Sequence, residues 1–115
     1  MSDEKRAENA GRMGSLSVRG TRDGDTYVIA LLGELDLDGA PAVEEELRRS
    51  EDSDATSIVV DLRRLEFIDS TGIRLVVMAA KRCEEGRLKL LRGPRQVHRV
   101  FEITDLADRL PFADA

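Results

Sequence analysis

The chain has 115 residues, a formal net charge of −5 and a single cysteine. This length predicts one domain with an ordinary hydrophobic core and no need for disulfide or metal crosslinks. The negative charge and the few aromatic residues argue against nucleic acid and anionic lipid surfaces as partners. No segment resembles a membrane span or a signal peptide, so we expect a cytoplasmic protein that uses no membrane and binds other proteins.

The N-terminal part of the chain predicts a tail followed by a β-hairpin. Residues 1–13 are charged and lack an apolar period, so we expect a disordered tail and a domain over residues 14–115. Apolar, β-rich runs at 16–18 and 26–32 enclose the turn signal Asp23-Gly24. The two runs are therefore expected to pair as antiparallel strands.

An amphipathic helix is expected next. Asp38 is in position to cap it, and Pro41 is tolerated in a first helical turn. Apolar residues at helical spacing predict the buried stripe, namely Ala40, Val43 and Leu47. The charged residues between them, Glu46 included, are expected on the exposed face.

The centre of the chain predicts a buried strand leading into a second, largely apolar helix. The strand runs over 57–62, and residues 65–68 bring the chain back toward the core. The helix is expected over 71–85, with Ser70 or Asp69 as its N-cap. An exposed hydroxyl is thus expected at a helix start.

The last third predicts a short strand at 88–91 and a third helix. Val97, Val100 and Phe101 form its apolar stripe, and His98 is expected at the boundary or exposed. All four aromatic residues are interpreted as core, namely Tyr27, Phe67, Phe101 and Phe112. The order β-β-α-β-α-β-α predicts an α/β fold whose mixed sheet, covered by helices, is antiparallel at its first two strands and parallel later.

Two short motifs resemble those of anti-sigma factor antagonists, which belong to the STAS domain family. Residues 69–72 read Asp-Ser-Thr-Gly, as in the family's phosphoacceptor segment. Residues 33–36 read Gly-Glu-Leu-Asp, the family's second element, at the expected distance upstream. Taken alone, residues 69–72 are also an ordinary helix cap. The joint pattern over residues 14–112 favours the family interpretation.

The resemblance implies a partner switch in bacterial stress response or sporulation-like signalling. The unphosphorylated protein would bind an anti-sigma factor with serine kinase activity and free the sigma factor for transcription. Phosphorylation of Ser70 would release the complex, and a serine phosphatase would restore it. The resemblance also assigns partner binding to Asp36, Asp69, Thr71 and Gly72, in a monomer or weak dimer.

Other functions remain open at this point. The chain shows no nucleophile with a base, no metal ligand set and no phosphate-binding glycine loop, so we expect no enzyme, no catalytic residue, no metal and no cofactor. A STAS domain also serves as a scaffold subunit of stress-sensing complexes or as a cytoplasmic subunit of lipid transporters. A small nucleotide-binding protein using the helix start at Thr71-Gly72 is the alternative from another class.

Overall fold

Within the described residues, one mixed sheet of five strands organises the fold, and the strands lie in the sheet in the order in which they follow along the chain. The computed structural model describes residues 12–13 and 15–113. The strands are β1 (Arg12–Met13), β2 (Leu16–Asp23), β3 (Thr26–Leu35), β4 (Ser57–Ile68) and β5 (Leu88–Leu91). Strands β1 to β3 pair antiparallel, and β4 pairs parallel with both β3 and β5. This confirms the predicted mixed sheet.

Three helices connect or follow the parallel strands, as the sequence predicts. They are α1 (Ala40–Glu51), between β3 and β4; α2 (Ser70–Arg82), between β4 and β5; and α3 (Arg95–Ile103), after β5. Buried residues alternate with more exposed ones along β2 and β3, so these strands bury one face. The buried side chains of strands and helices form a single hydrophobic core.

The short strand β1 is an addition to the predicted elements. Arg12 and Met13 were expected in the disordered tail, but they pair with Ser17 and Leu16 at the edge of β2. Two residues carry no periodic signal, and the free backbone groups of the β2 edge provide the pairing. The rest of the predicted tail, residues 1–11, lies outside the described residues.

The start and the exposed face of α1 differ from the prediction. Its N-cap residue is Gly39, without a side-chain cap, so Asp38 does not cap the helix. Glu46 is buried, with only 3% of its surface exposed. The Tyr27 hydroxyl donates to its carboxylate at 2.5 Å and Arg49 donates at 2.7 Å. These hydrogen bonds offset the free-energy cost of burying the Glu46 carboxylate. The pattern of hydrophobic residues in the sequence does not show such partners.

Helix α2 ends three residues earlier than predicted. Arg82 is its last residue, and Cys83 follows with an extended backbone. Gly86 has a φ of 89° and lies in a separate turn, in which the Arg87 N–H donates to the Glu84 carbonyl at 3.0 Å. The glycine therefore lies in the turn that leads to β5.

Two aromatic-region predictions are also wrong. His98 is buried, with 6% of its surface exposed. Its ring contacts Phe101 and packs edge to face against Phe112, with 4.8 Å between the ring centroids of His98 and Phe112. Phe112 lies in the C-terminal segment, which bridges to Leu90 of β5 and closes over this side of the core. Phe67 was expected in the core, but 48% of it is exposed.

An ion pair and an arginine fix the relative position of α1 and α2. Arg82 donates to both carboxylate oxygens of Glu51 at 2.8 Å. Arg87 donates to carbonyl groups at the end of α1 and in the following loop, those of Ser50, Glu51, Ser53 and Ala55. The Arg87 guanidinium thereby binds two carbonyls at the helix end, those of Ser50 and Glu51, which a helix end leaves without intrahelical donors.

Candidate functional site

The two sequence motifs meet at one edge of the sheet. Leu35 of β3 is paired in register with Ile68 of β4. The residues that follow, Asp36 and Asp69, therefore leave neighbouring parallel strands at the same edge. A backbone hydrogen bond joins the two strand ends here, since the Asp69 N–H donates to the carbonyl of Leu35, the residue before Asp36, at 3.2 Å.

Asp69 is the N-cap of α2. Its Oδ1 accepts from the backbone N–H groups of Thr71 at 2.9 Å and Gly72 at 3.2 Å. Its own carbonyl accepts from the Ile73 N–H at 3.0 Å. The sequence predicted either Asp69 or Ser70 as the N-cap. The N-cap is Asp69, and Ser70 is the first residue of the helix.

The Ser70 side chain is exposed at this helix start. Within the described part of the chain, no group makes a hydrogen bond to its hydroxyl. Thr71, the neighbouring hydroxyl residue, is only partly exposed. Of the two, Ser70 therefore presents the more accessible oxygen to an approaching molecule.

Gly72 lies beneath the site and is buried. A Cβ there would lie 2.7 Å from Ile68 Cγ1 and from Leu35 Cγ, and 2.9 Å from Leu35 Cδ2. Both side chains belong to the packed ends of β3 and β4. The absence of a side chain thus lets α2 approach the sheet, and a bulkier residue would first collide with the protein's own core.

The Asp36 side chain organises the loop between β3 and α1. Its Oδ1 accepts from the N–H groups of Asp38 at 3.1 Å and Gly39 at 3.3 Å. This turn presents Leu37 with 71% of its surface exposed. Asp36 thus stabilises this loop through hydrogen bonds and also lies at the candidate site.

Exposed apolar side chains near this edge were missed from the sequence. Phe67 directly precedes Ile68, and Leu37 directly follows Asp36. Along β4 the pairing with β3 shifts register twice, which breaks the simple alternation of buried and exposed residues. Alternation alone therefore could not show that Phe67 faces away from the core.

A shallow groove between α1 and α2 begins beside the site. Its lining contains three arginines and one carboxylate among apolar side chains, namely Glu44, Arg48, Thr71, Arg74, Leu75, Met78 and Arg82. Arg48 donates to Glu44 at 2.8 Å, and Arg82 lies 3.8 Å from the same carboxylate. Thr71 connects the groove to the helix start.

The described residues offer no constellation for metal or nucleophilic chemistry. Within residues 15–113, no three His, Cys, Asp or Glu side chains are grouped closely enough to hold a metal ion. Burial raises the pKa of the Cys83 thiol, which opposes formation of the reactive thiolate. In the same part of the chain, no helix has the length and apolar character needed to cross a membrane.

The comparisons with known proteins agree with this fold and show the family. The family model described as "Mlab, STAS domain" matches residues 16–111. The anti-sigma-B factor antagonist of Listeria monocytogenes is 35% identical over 89 residues, which cover 76% of this chain and 78% of the relative. The chain therefore belongs to the STAS domain family, and the relatives that it matches include anti-sigma factor antagonists. The family resemblance inferred from the two motifs is confirmed.

Two solved structures of the antagonist SpoIIAA are similar to this chain. The unphosphorylated form superposes with a TM-score of 0.71 at 27% identity, covering 85% of this chain and 89% of SpoIIAA. The phosphorylated form, from Bacillus, gives a TM-score of 0.65 at 26% identity, with 85% and 92% covered. That relative thus exists in two phosphorylation states.

Proposed function

We propose that this chain is an anti-sigma factor antagonist that acts as a binding switch controlled by phosphorylation of Ser70. The unphosphorylated chain binds an anti-sigma factor with serine kinase activity, and the sigma factor is released. Phosphorylation of Ser70 ends the complex, and a serine phosphatase restores the binding form. In this proposal the chain is a cytoplasmic binding module and not an enzyme.

The observation that carries the proposal is the exposed Ser70 hydroxyl, which takes part in no hydrogen bond within the described residues and lies directly after the Asp69 cap. A kinase needs an accessible hydroxyl, and the surrounding backbone is held by hydrogen bonds that do not involve this oxygen. The antagonist names of the relatives and the two states of SpoIIAA support the same assignment.

Charge explains how the modification would release a partner. A phosphate adds about −1.5 to −2 charges at pH 7. It would stand beside the Asp69 carboxylate and at the same sheet edge as Asp36. A contact formed over this surface would then suffer repulsion and the cost of desolvating a dianion.

Partner contacts are proposed for the surface around the hydroxyl. Asp36, Asp69 and Thr71 reach this surface directly. Gly72 contributes by letting α2 lie close to the sheet, which fixes the position of Ser70. The exposed side chains of Leu37 and Phe67 give the partner apolar area beside the charged groups.

The test uses the anti-sigma factor kinase encoded in the same genome. We expect ATP and this kinase to place one phosphate on Ser70, located by mass spectrometry of peptides. Ser70→Ala should bind the kinase and resist release by ATP, whereas Ser70→Asp should bind at least tenfold more weakly while remaining folded.

Thr71→Val serves as the matched control, because it removes the adjacent hydroxyl and retains the branched shape. The phosphate should still be found on Ser70 by mass spectrometry, although the loss of a proposed partner contact at Thr71 lowers the rate at which it is added. A phosphate found only at another residue, or equal affinity of the kinase for wild type and Ser70→Asp, would exclude the switch. A scaffold subunit of a stress-sensing complex or a subunit of a lipid transporter would then be the function to test.

A further inference from the structure

Arg74 lies one helical turn after Ser70 on α2. Residues four positions apart on a helix are neighbours, with about 5 to 6 Å between their Cβ atoms. Both side chains are exposed. Arg74 therefore has the spacing and the freedom to reach a group attached to the Ser70 oxygen.

Arg74 differs from the other arginines of the α1–α2 groove in having no committed partner. Arg48 binds Glu44 at 2.8 Å, and Arg82 binds Glu51 at 2.8 Å. Among residues 15–113, no carboxylate lies within ion-pair distance of Arg74. Its guanidinium is thus a free cation placed beside the modification site.

Three carboxylates of this region each accept local hydrogen bonds. Asp69 uses its Oδ1 to cap the helix, and Asp36 uses its Oδ1 in the loop before α1. Glu44, which faces the groove from α1, is bound by Arg48. Within the described residues, no carboxylate is paired with Arg74, so a phosphate, whose charge is larger, would have none to displace.

Building on the assignment of Ser70 as the modified residue, we propose that Arg74 binds the phosphate on Ser70 within the same helix. A guanidinium offers two parallel N–H donors that match phosphate oxygens and gains little from a neutral hydroxyl. The pair therefore forms only after phosphorylation. Arg74 acts as a positioning residue that holds the phosphate against α2.

This pairing would make the switch sharper in two ways. A phosphoserine has a second pKa near 6, so an adjacent cation favours the dianion at neutral pH. A phosphate held by Arg74 is also less available to a cation on the partner. The partner protein would therefore not form an ion pair with the phosphate that could compensate for the added negative charge.

The test is a phosphorus NMR titration of the full chain with phosphoserine encoded genetically at position 70. At low salt, Arg74→Gln should raise the second pKa of the phosphate by about 0.2 to 0.4 units, the range expected for a helical pair at this spacing. Arg74→Lys should keep part of the effect. The difference should shrink in high salt, because the pair is exposed.

Arg99→Gln on α3 is the matched control, since Arg99 is an exposed helical arginine away from Ser70. It should leave the titration unchanged. Identical titration of wild type and Arg74→Gln, or an equal shift in Arg99→Gln, would overturn the proposal. Because no kinase is needed, this failure is distinguishable from failure of the switch itself, which the kinase assay tests.

Discussion

Gly72→Ala tests whether the packing beneath Ser70 fixes the helix start. The new Cβ would lie 2.7 Å from both Ile68 Cγ1 and Leu35 Cγ, and these atoms are not the free ends of flexible chains. Overpacking of this kind costs about 1 to 3 kcal/mol, and the better helix propensity of alanine returns up to about 1 kcal/mol. We expect a net loss of about 1 kcal/mol in the free energy of unfolding.

Urea unfolding followed by circular dichroism would measure this loss, and a double-mutant cycle with Leu35→Ala would identify its cause. Truncating Leu35 removes the contacts at its Cγ and Cδ2 and leaves the one at Ile68 Cγ1, so Gly72→Ala should cost at least about 0.5 kcal/mol less in that background. Equal costs in both backgrounds, or a Gly72→Ala variant more stable than wild type, would refute the packing argument.

Three further predictions address the cap, the neighbouring loop and the buried histidine. Asp69→Ala should lose about 1 kcal/mol of unfolding free energy in urea titrations, whereas Asp69→Asn should lose less because an amide oxygen still caps. Asp36→Asn should keep the loop and weaken kinase binding in calorimetry, and unchanged affinity would remove the Asp36 charge from the interface. Burial, together with the charge of Arg92, lowers the pKa of His98 in the folded chain. As the pH falls below about 6.5, the unfolded chain therefore binds more protons than the folded chain does. Stability at pH 5.5 should therefore be lower than at pH 7, and this drop should be smaller in His98→Leu, which removes the only histidine.

The order of elements could be predicted because strong local patterns specify it. The alternation around Asp23-Gly24 gave the hairpin, and the apolar runs at 57–62 and 88–91 gave the parallel strands. The helix start at residues 69–70 followed from capping chemistry, which acts within a few residues. These features depend on near neighbours in sequence, and the structure confirms them.

The wrong predictions depend on contacts that are distant in sequence. Glu46 is buried because Tyr27, 19 residues earlier, donates to its carboxylate. His98 is buried because the C-terminal segment returns Phe112 to β5. Phe67 is exposed because β4 shifts its register against β3. A residue-by-residue pattern carries no information about such partners.

The same distinction applies to the site. The positions of Asp36, Asp69 and Ser70 followed from motifs at strand ends, since parallel strands bring their carboxyl ends to one edge. The position of Gly72 beneath the surface depends on the packing of α2 against the sheet, and the lack of a carboxylate partner for Arg74 among the described residues depends on contacts between α1 and α2. The sequence thus predicted the position of the Ser70 hydroxyl. The packing at Gly72 and the surroundings of Arg74, one helical turn later, are seen only in the structure.

The arrangement separates the proposed switch from the stability of the fold. The Ser70 oxygen makes no hydrogen bond within the described residues, and the helix start is held by the Asp69 carboxylate and by close packing at Gly72. At the other end, α2 is tied to α1 through Arg82 and Glu51. A phosphate on Ser70 would therefore change the charge of an exposed surface without breaking a contact that the fold needs. Such a domain would lose its partner on modification and remain folded for the phosphatase.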